Sequence, residues 1–443
     1  MSQGNRIGLT ALTALVFSSM VGAGIFSLPQ NMAEVAGLNA MIVGWTITGV
    51  GILLLAGCFL YLSRLKPELD GGIYAYAREG FGDLAGFLSA WGYWLCATIG
   101  VVGYLVVAFA ALGAFVDTPD FTLFGDGTTI YAFIGESLVL WAVHSLILRG
   151  VTQAAFINLL ATLAKSVPLI LFVCAAYYFF DADTFHIDTQ GETLQQPFIE
   201  QVKGTMLITL WVFTGIEGAV ILSSRAKNRR DIGRATYLGV IAALILYVMI
   251  SLMSLGIASR AEITAIPNPS MAGLMAMMTG TWGKAVISIG LIVSVLASYL
   301  SWILYSAEVP YTAAKYGAFP KYFAKSNDNG TPKNSLLLTS LTVQFCLVLV
   351  MFTGEGYNTL VLVSTSMILI PYFLVAAYLL KLSIQTRASF KLKLIGFGAT
   401  IYGLWLVYAA GVDTLFLSAI LYIPGIALYI YSRRQHRLKP TTA

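Results

Sequence analysis

The sequence predicts an all-α membrane protein: twelve transmembrane helices, forming an inverted five-plus-five repeat with broken helices 1 and 6, plus two peripheral helices. Three observations carry that expectation. The 443 residues are 58% hydrophobic and only 11% charged, with a mean hydropathy of +0.80. A soluble core of this length needs far less apolar sequence than that. The apolar residues gather into stretches long enough to cross a bilayer, separated by short polar segments. Finally, the first and sixth stretches are both interrupted by glycine, one of them beside a carboxylate.

Taken in order, the first stretch, 7–28, is interrupted by Gly22-Ala23-Gly24. It is too long for the apolar core of a cleaved signal, and reads as a retained span. Stretches 38–62, 84–112 and 129–148 are uninterrupted, and 152–179 carries Lys165 near its centre. The sixth, 202–222, holds Gly215-Ile216-Glu217-Gly218 at its middle. Four more follow at 235–258, 283–307, 335–353 and 358–380. The last two, 394–411 and 413–432, are parted by little more than Gly411-Val412-Asp413. The chain therefore reads as one transporter domain over 1–443, with a first repeat at 7–179, a second at 202–380 and two extra helices at 394–432. Five spans carry the start of the second repeat to the opposite membrane face, so the copies must be inverted.

Charge sets the expected orientation. With both termini cytoplasmic, all but four of the 26 Lys and Arg residues fall in inner segments; the exceptions are Lys203, Arg260, Lys284 and the intramembrane Lys165. Asp117, Asp120, Asp126, Asp181, Asp183, Asp188 and Glu192 fall outside. This is the positive-inside pattern, and an odd number of spans would destroy it. The net charge of +5 is thereby accounted for and signals no nucleic-acid partner. Four scattered cysteines within spans suggest neither a disulfide framework nor a metal site. No cofactor is expected. No nucleophile–base pair or phosphate loop suggests an enzyme, and no pore-lining pattern suggests a channel.

The interrupted spans locate the chemistry. Freed backbone groups cannot face lipid, so they must line protein or a site, and paired interruptions in two halves point to a midplane binding site. A half-helix starting after Gly22-Ala23-Gly24 offers N–H groups to a carboxylate. The earlier half-helix, ending around Phe17 to Ser19, offers carbonyls to an ammonium group. One α-amino acid supplies both. A small-residue packing face is the bland alternative. Lys165 lies too deep to snorkel and is either a participant in transport or a strut on the freed carbonyls of span 1. Glu217 is a proton carrier, a counter-ion or a hinge, with gating favoured. Trp211 and Thr214 precede it. Trp302 lies beside Ser298 and Ser301 and offers a cation–π face; Glu308 approaches the cytoplasmic end as a gate or a solvated residue. Glu136 and His144 either face a neighbouring helix or sit near solvent, and Tyr93, Trp94 and Cys96 either line a pocket or, as span position alone favours, pack in the core.

Ser18 through Pro29, Asp70-Gly71-Gly72-Ile73-Tyr74-Ala75-Tyr76-Ala77-Arg78-Glu79-Gly80-Phe81-Gly82, Leu210 through Ala219, and Trp302 through Pro320 together resemble signatures of the amino acid–polyamine–organocation superfamily, in order along nearly the whole chain. The chain looks most like its basic amino acid/polyamine antiporters, and within them the arginine/ornithine exchangers. The resemblance implies alternating access. Gly22, Ala23 and Gly24 would hold the substrate carboxylate. Trp211 and Thr214 would cap and line the site, Ser19, Cys96 and Ala97 would complete its wall, and Trp302 would face the cationic side chain. Glu217, Glu308, Tyr74 and Lys165 would serve gating and coupling.

Ser19 stands where related arginine/agmatine exchangers carry Asn, and Ala23 where they carry Ser. Cys96 and Ala97 stand in swapped order, so strict arginine/agmatine exchange is not implied. Lys165 is similar to the lysine of proton-coupled members, which replaces a sodium ion between spans 1 and 8. The expected activity is exchange of arginine for ornithine across an inner membrane, with a homodimer as a further expected partnership. The alternatives are a proton-coupled amino acid symporter, or exchange of another amino acid with its decarboxylation-product amine.

Overall fold

A computed structural model describes residues 8–69, 72–149, 154–218 and 228–438. The chain is helical along almost all of them, its sole strand-like feature there being one bridge between Thr118 and Phe121. Eight helices among the described residues are long and apolar enough to cross a membrane, and a bent pair at the N-terminus makes a ninth span. The protein is a multi-pass membrane protein.

The helices, in order, are α1 (Leu9–Met20), α2 (Gly24–Val35), α3 (Leu38–Leu65), α4 (Gly72–Phe81), α5 (Asp83–Val116), α6 (Ile130–Leu148) and α7 (Ala154–Tyr178). A short turn, α8 (Ala182–Phe185), precedes α9 (Phe198–Phe213), α10 (Arg229–Ser254), α11 (Arg260–Ala265) and α12 (Ser270–Thr279). The chain closes with α13 (Thr281–Lys315), α14 (Lys333–Thr353), α15 (Tyr357–Gln385) and α16 (Phe390–Leu438). The sequence reading did not anticipate α4, α11 or α12, which occupy loops. Their lengths of 10, 6 and 10 residues are too short to cross a bilayer unaided.

The first expected interruption is present, and the helix beyond it is longer than expected. α1 and α2 meet at 43° across residues 21–23, and α2 continues past Leu28 and Pro29 to Val35. Pro29 removes one backbone donor without ending the helix. The sixth stretch starts earlier than expected, at Phe198, and its helix stops at Phe213. Gly215 then takes φ +112°, a left-handed conformation that an L side chain rarely adopts, and an added Cβ would lie 2.8 Å from Ser19 O. The expected continuation to 222 lies outside the described residues, as do Asp70, Gly71, Ala219, Arg225 and Lys227. The two final stretches merge into α16, which bends at Gly411 with φ +77°.

α5 runs through the centre, packed along α13 on one side and α15 on the other. α1 and α3 pack on α10, and α7 packs on α13. The two interruptions are thereby brought against each other: Ser19 Oγ, at the end of α1, donates to Gly215 O over 3.0 Å.

Candidate functional site

Between the two breaks lies a nearly closed cavity of about 10 Å³, roughly the space of one water. It is lined by Gly24 of α2, Cys96 and Ala97 of α5, Trp211 and Thr214 at the end of α9, and Trp302 of α13. Those are six of the nine residues expected to bind substrate. Met20, Gly100, Tyr104 and Val212 complete the lining. Ser19, Gly22 and Ala23 are buried at the break beside it.

Each wall has a local cause. Gly24 and Gly100 leave room for the Trp211 indole; a Cβ on either would approach it to 2.9 or 2.8 Å. Trp211 Nε1 donates to Tyr357 Oη over 3.1 Å, and the Tyr104 ring meets the indole edge-on at 6.4 Å. This forms a lid on the side where α9 and α15 begin. Trp302, another wall of the cavity, lies between Tyr93 (6.5 Å) and Tyr305 (5.7 Å). Ser364 Oγ donates to Cys96 O over 2.6 Å and so ties α15 to α5 at cavity level. By helix geometry the opening N–H groups of α2 lack an acceptor one turn earlier. Phe26 N–H returns to Ala23 O, and the head of the helix points its positive end toward the break.

At the carbonyl end the geometry matches the strut alternative for Lys165. Phe17 O accepts from Val21 N–H. Ser18 O and Val21 O each accept from Lys165 Nζ over 2.7 Å, and Ser298 Oγ of α13 stands 3.5 Å from the same nitrogen. Lys165 is wholly buried. The ammonium group that the freed carbonyls suit is thus this lysine's own, in the strut arrangement, and it spans α1, α7 and α13.

Glu217 sits in the second break. Its Oε2 accepts from Tyr372 Oη over 2.7 Å, while Oε1 and the neighbouring Tyr93 Oη interact with each other without reaching full hydrogen-bond geometry. It lies just beyond Thr214, the last residue of that chain segment to line the cavity. Tyr74 is buried far along the sequence from this centre, against Tyr316 at 6.0 Å. Glu308 is exposed. Neither lines the cavity.

Tyr104, Tyr357, Tyr372 and Ser364 were not singled out in the sequence. Their partners lie on other helices, so no spacing announces them. Glu136 is buried with one unpartnered oxygen, and His144 Nδ1 lies 2.8 Å from Ser340 Oγ, both on α6 away from the cavity.

Comparison with known proteins meets this geometry at family level. The amino acid permease family matches residues 7–441. The chain belongs to that family. It is a member of the amino acid–polyamine–organocation superfamily. Among similar proteins is a provisionally named arginine/ornithine antiporter of Escherichia coli (strain K12), 58% identical over 97% of this chain and 93% of its own length. An arginine/ornithine antiporter of Pseudomonas aeruginosa is 46% identical over 97% of this chain and 91% of its own. An arginine/agmatine antiporter of Chlamydia caviae is 42% identical over 98% and 92%. In this permease the α1–α2 bend and the end of α9 border one cavity.

Proposed function

We propose that this permease exchanges arginine for ornithine across the inner membrane by alternating access. The observation that carries the reading is the cavity bounded by the head of α2, the Trp211 lid and the Trp302 face. The head of α2 suits a carboxylate, and Trp302 suits a guanidinium or ammonium group. No acidic residue lines that cavity, so aromatic faces and dipoles hold the cation. Relatives named for arginine/ornithine exchange match over nearly the full length and support the choice of solutes.

In this reading Gly22, Ala23 and Gly24 receive the carboxylate, and Ser19, Cys96, Ala97 and Thr214 form the wall. Glu217 couples the second break to gating, with Tyr74 and Glu308 on the cytoplasmic side. Lys165 occupies the position between α1 and α13 where a cation would otherwise join them, and transport needs no sodium. Twelve crossing segments are reached by counting α7 and α9 with the eight long helices, α1–α2 as one, and α16 as two, split at Gly411. Both termini are then cytoplasmic, and 7–179 and 202–380 form the inverted halves. The peripheral α16 offers a surface for a homodimer.

The test is uptake of labelled arginine into proteoliposomes loaded with ornithine, with arginine, with agmatine or with nothing. Uptake that requires internal ornithine or arginine supports exchange. Uptake into empty vesicles driven by an acid exterior would replace exchange with proton symport.

A further inference from the structure

A second cavity, of about 230 Å³, lies between α2, α9, α15 and α16. It stands at the end of the bundle where α2 finishes and α9 and α15 begin, the outer end in the orientation proposed above. Leu207 and Ile208 in its wall are one turn outward of Trp211, and Asn358 follows Tyr357, the hydroxyl that receives the Trp211 indole. The cavity therefore abuts the lid of the central site and is far roomier than that site.

Its polar groups are arranged rather than scattered. Asn268 Nδ2 donates to Asn358 Oδ1 over 3.1 Å, which turns the Asn358 amide so that its Nδ2 faces Glu34 Oε2 at 3.4 Å. Glu34 is partly buried, and no basic side chain forms an ion pair with it among the described residues. Asn31, one turn earlier on α2, is 5% exposed, and its Oδ1 has no hydrogen-bond partner. One cation also lines the cavity. Lys203 is held by Glu200 at 2.9 Å and stacked over Tyr408 at 5.0 Å, so its charge is already answered. Glu34, Glu200 and Lys203 together leave one negative charge, and two orphan acceptors, Asn31 Oδ1 and Asn268 Oδ1, stand in the same polar group.

We propose that this cavity is an outer waiting site for the guanidinium or ammonium group of a cationic amino acid, built on Glu34 and Asn31. The inference rests on the exchange reading for the identity of its occupant. It supplies the acidic partner that the central cavity lacks: the cation meets a carboxylate first, and passes to the aromatic face when the Trp211–Tyr357 contact opens.

The experiment compares Glu34→Gln with the parent chain in ornithine-loaded proteoliposomes. The KM for external arginine should rise about five- to tenfold with the maximal rate within about twofold, since the charge acts on encounter rather than on turnover. The parent KM should climb with ionic strength and the variant KM should be nearly flat. Thr414→Glu adds a carboxylate on the α16 wall and should lower the KM, a direction that misfolding would not produce. If exchange proceeds and Glu34→Gln changes neither the KM nor its salt dependence, the waiting site is overturned and the exchange reading stands. If arginine is not exchanged, equilibrium dialysis of the solubilised protein with labelled arginine decides separately. Binding that Glu34→Gln weakens keeps the site and removes the exchange reading; binding indifferent to Glu34 removes both.

Discussion

The two helix breaks are filled by side chains of opposite type, a lysine and a glutamate, and to different degrees. At the first, between α1 and α2, Lys165 meets Ser18 O and Val21 O at 2.7 Å and reaches Ser298 on a third helix. At the second, after α9, Glu217 accepts from Tyr372, and its Oε1 meets the Tyr93 hydroxyl without full hydrogen-bond geometry. A saturated polar joint inside a membrane is rigid, because each group it would release has no water to turn to. An undersatisfied joint has less to lose by moving. On that contrast we propose that the first break holds and the second gates.

The largest expected effect follows from emptying the first break. Lys165→Leu orphans two buried carbonyl oxygens at about 1–3 kcal/mol each, so roughly 2–6 kcal/mol of stability. The fraction of protein remaining monodisperse after heating, followed by size-exclusion chromatography, should fall sharply. Lys165→Arg, which keeps the charge, should lose less. A Lys165→Leu protein as heat-resistant as the parent would mean that the first break is not held by this lysine.

The second break should respond in rate rather than stability. Glu217→Gln retains an acceptor for Tyr372 and offers a donor to Tyr93, so melting should shift little. Exchange should slow on the order of a hundredfold, within the usual span of coupling energies, with the KM for arginine changed only a few-fold. A large loss of stability with an unchanged turnover number would reverse the roles given to the two breaks.

How much of this was legible in the sequence follows from the same contrast. The bend between α1 and α2 and the stop of α9 before Gly215 were legible, because glycines inside an apolar stretch and a charge at its centre are local signals. Lys165 and Glu217 stood out for that reason. Their partners did not. Tyr372 is 155 residues from Glu217, and a chain with 23 tyrosines gives no reason to choose that one. Tyr93 was read as packing because a span position cannot tell a core ring from a gate. For the freed carbonyls of α1 the sequence left two partners open, a substrate amine or Lys165, since it cannot show how close α7 brings that lysine to those oxygens. Helix ends were misplaced at Leu28 and Val202 because hydropathy falls off before the helix does. The loop helices α4, α11 and α12 carry no apolar run long enough to be noticed.

Between the breaks, Trp302 stands one turn from Ser298 on α13, so it joins the cavity to the helix that Lys165 grips. Trp302→Leu removes the aromatic face but leaves both breaks intact. Arginine affinity should weaken by about 1–2 kcal/mol, the value of a desolvated cation–π contact, or roughly 5- to 30-fold in Kd. Calorimetric titration of the solubilised protein would read it, and unchanged affinity would take Trp302 out of the site.

The smallest effect belongs to a charged cluster away from both breaks, and it sharpens the comparison as a control. Asp83, at the start of α5, accepts from Arg78 over 2.9 Å and from Arg433 of α16 over 2.7 Å. The hydrogen bond from Arg78, with the Arg433 charge adding to it, holds the Asp83 carboxyl below its ordinary value. A lowered carboxylate contributes stability above its unfolded value, near pH 3.9, and loses it as pH falls through the folded value. The group is 41% exposed on its side chain, so the contribution is that of a screened surface pair, below about 1 kcal/mol. Asp83→Asn should therefore lower the melting temperature slightly at pH 7. The difference from the parent should close as the pH is brought below 3.9, and arginine exchange should not change. A slowing as large as that of Glu217→Gln would place the α4–α5 junction among the moving parts and end the assignment of gating to the second break alone.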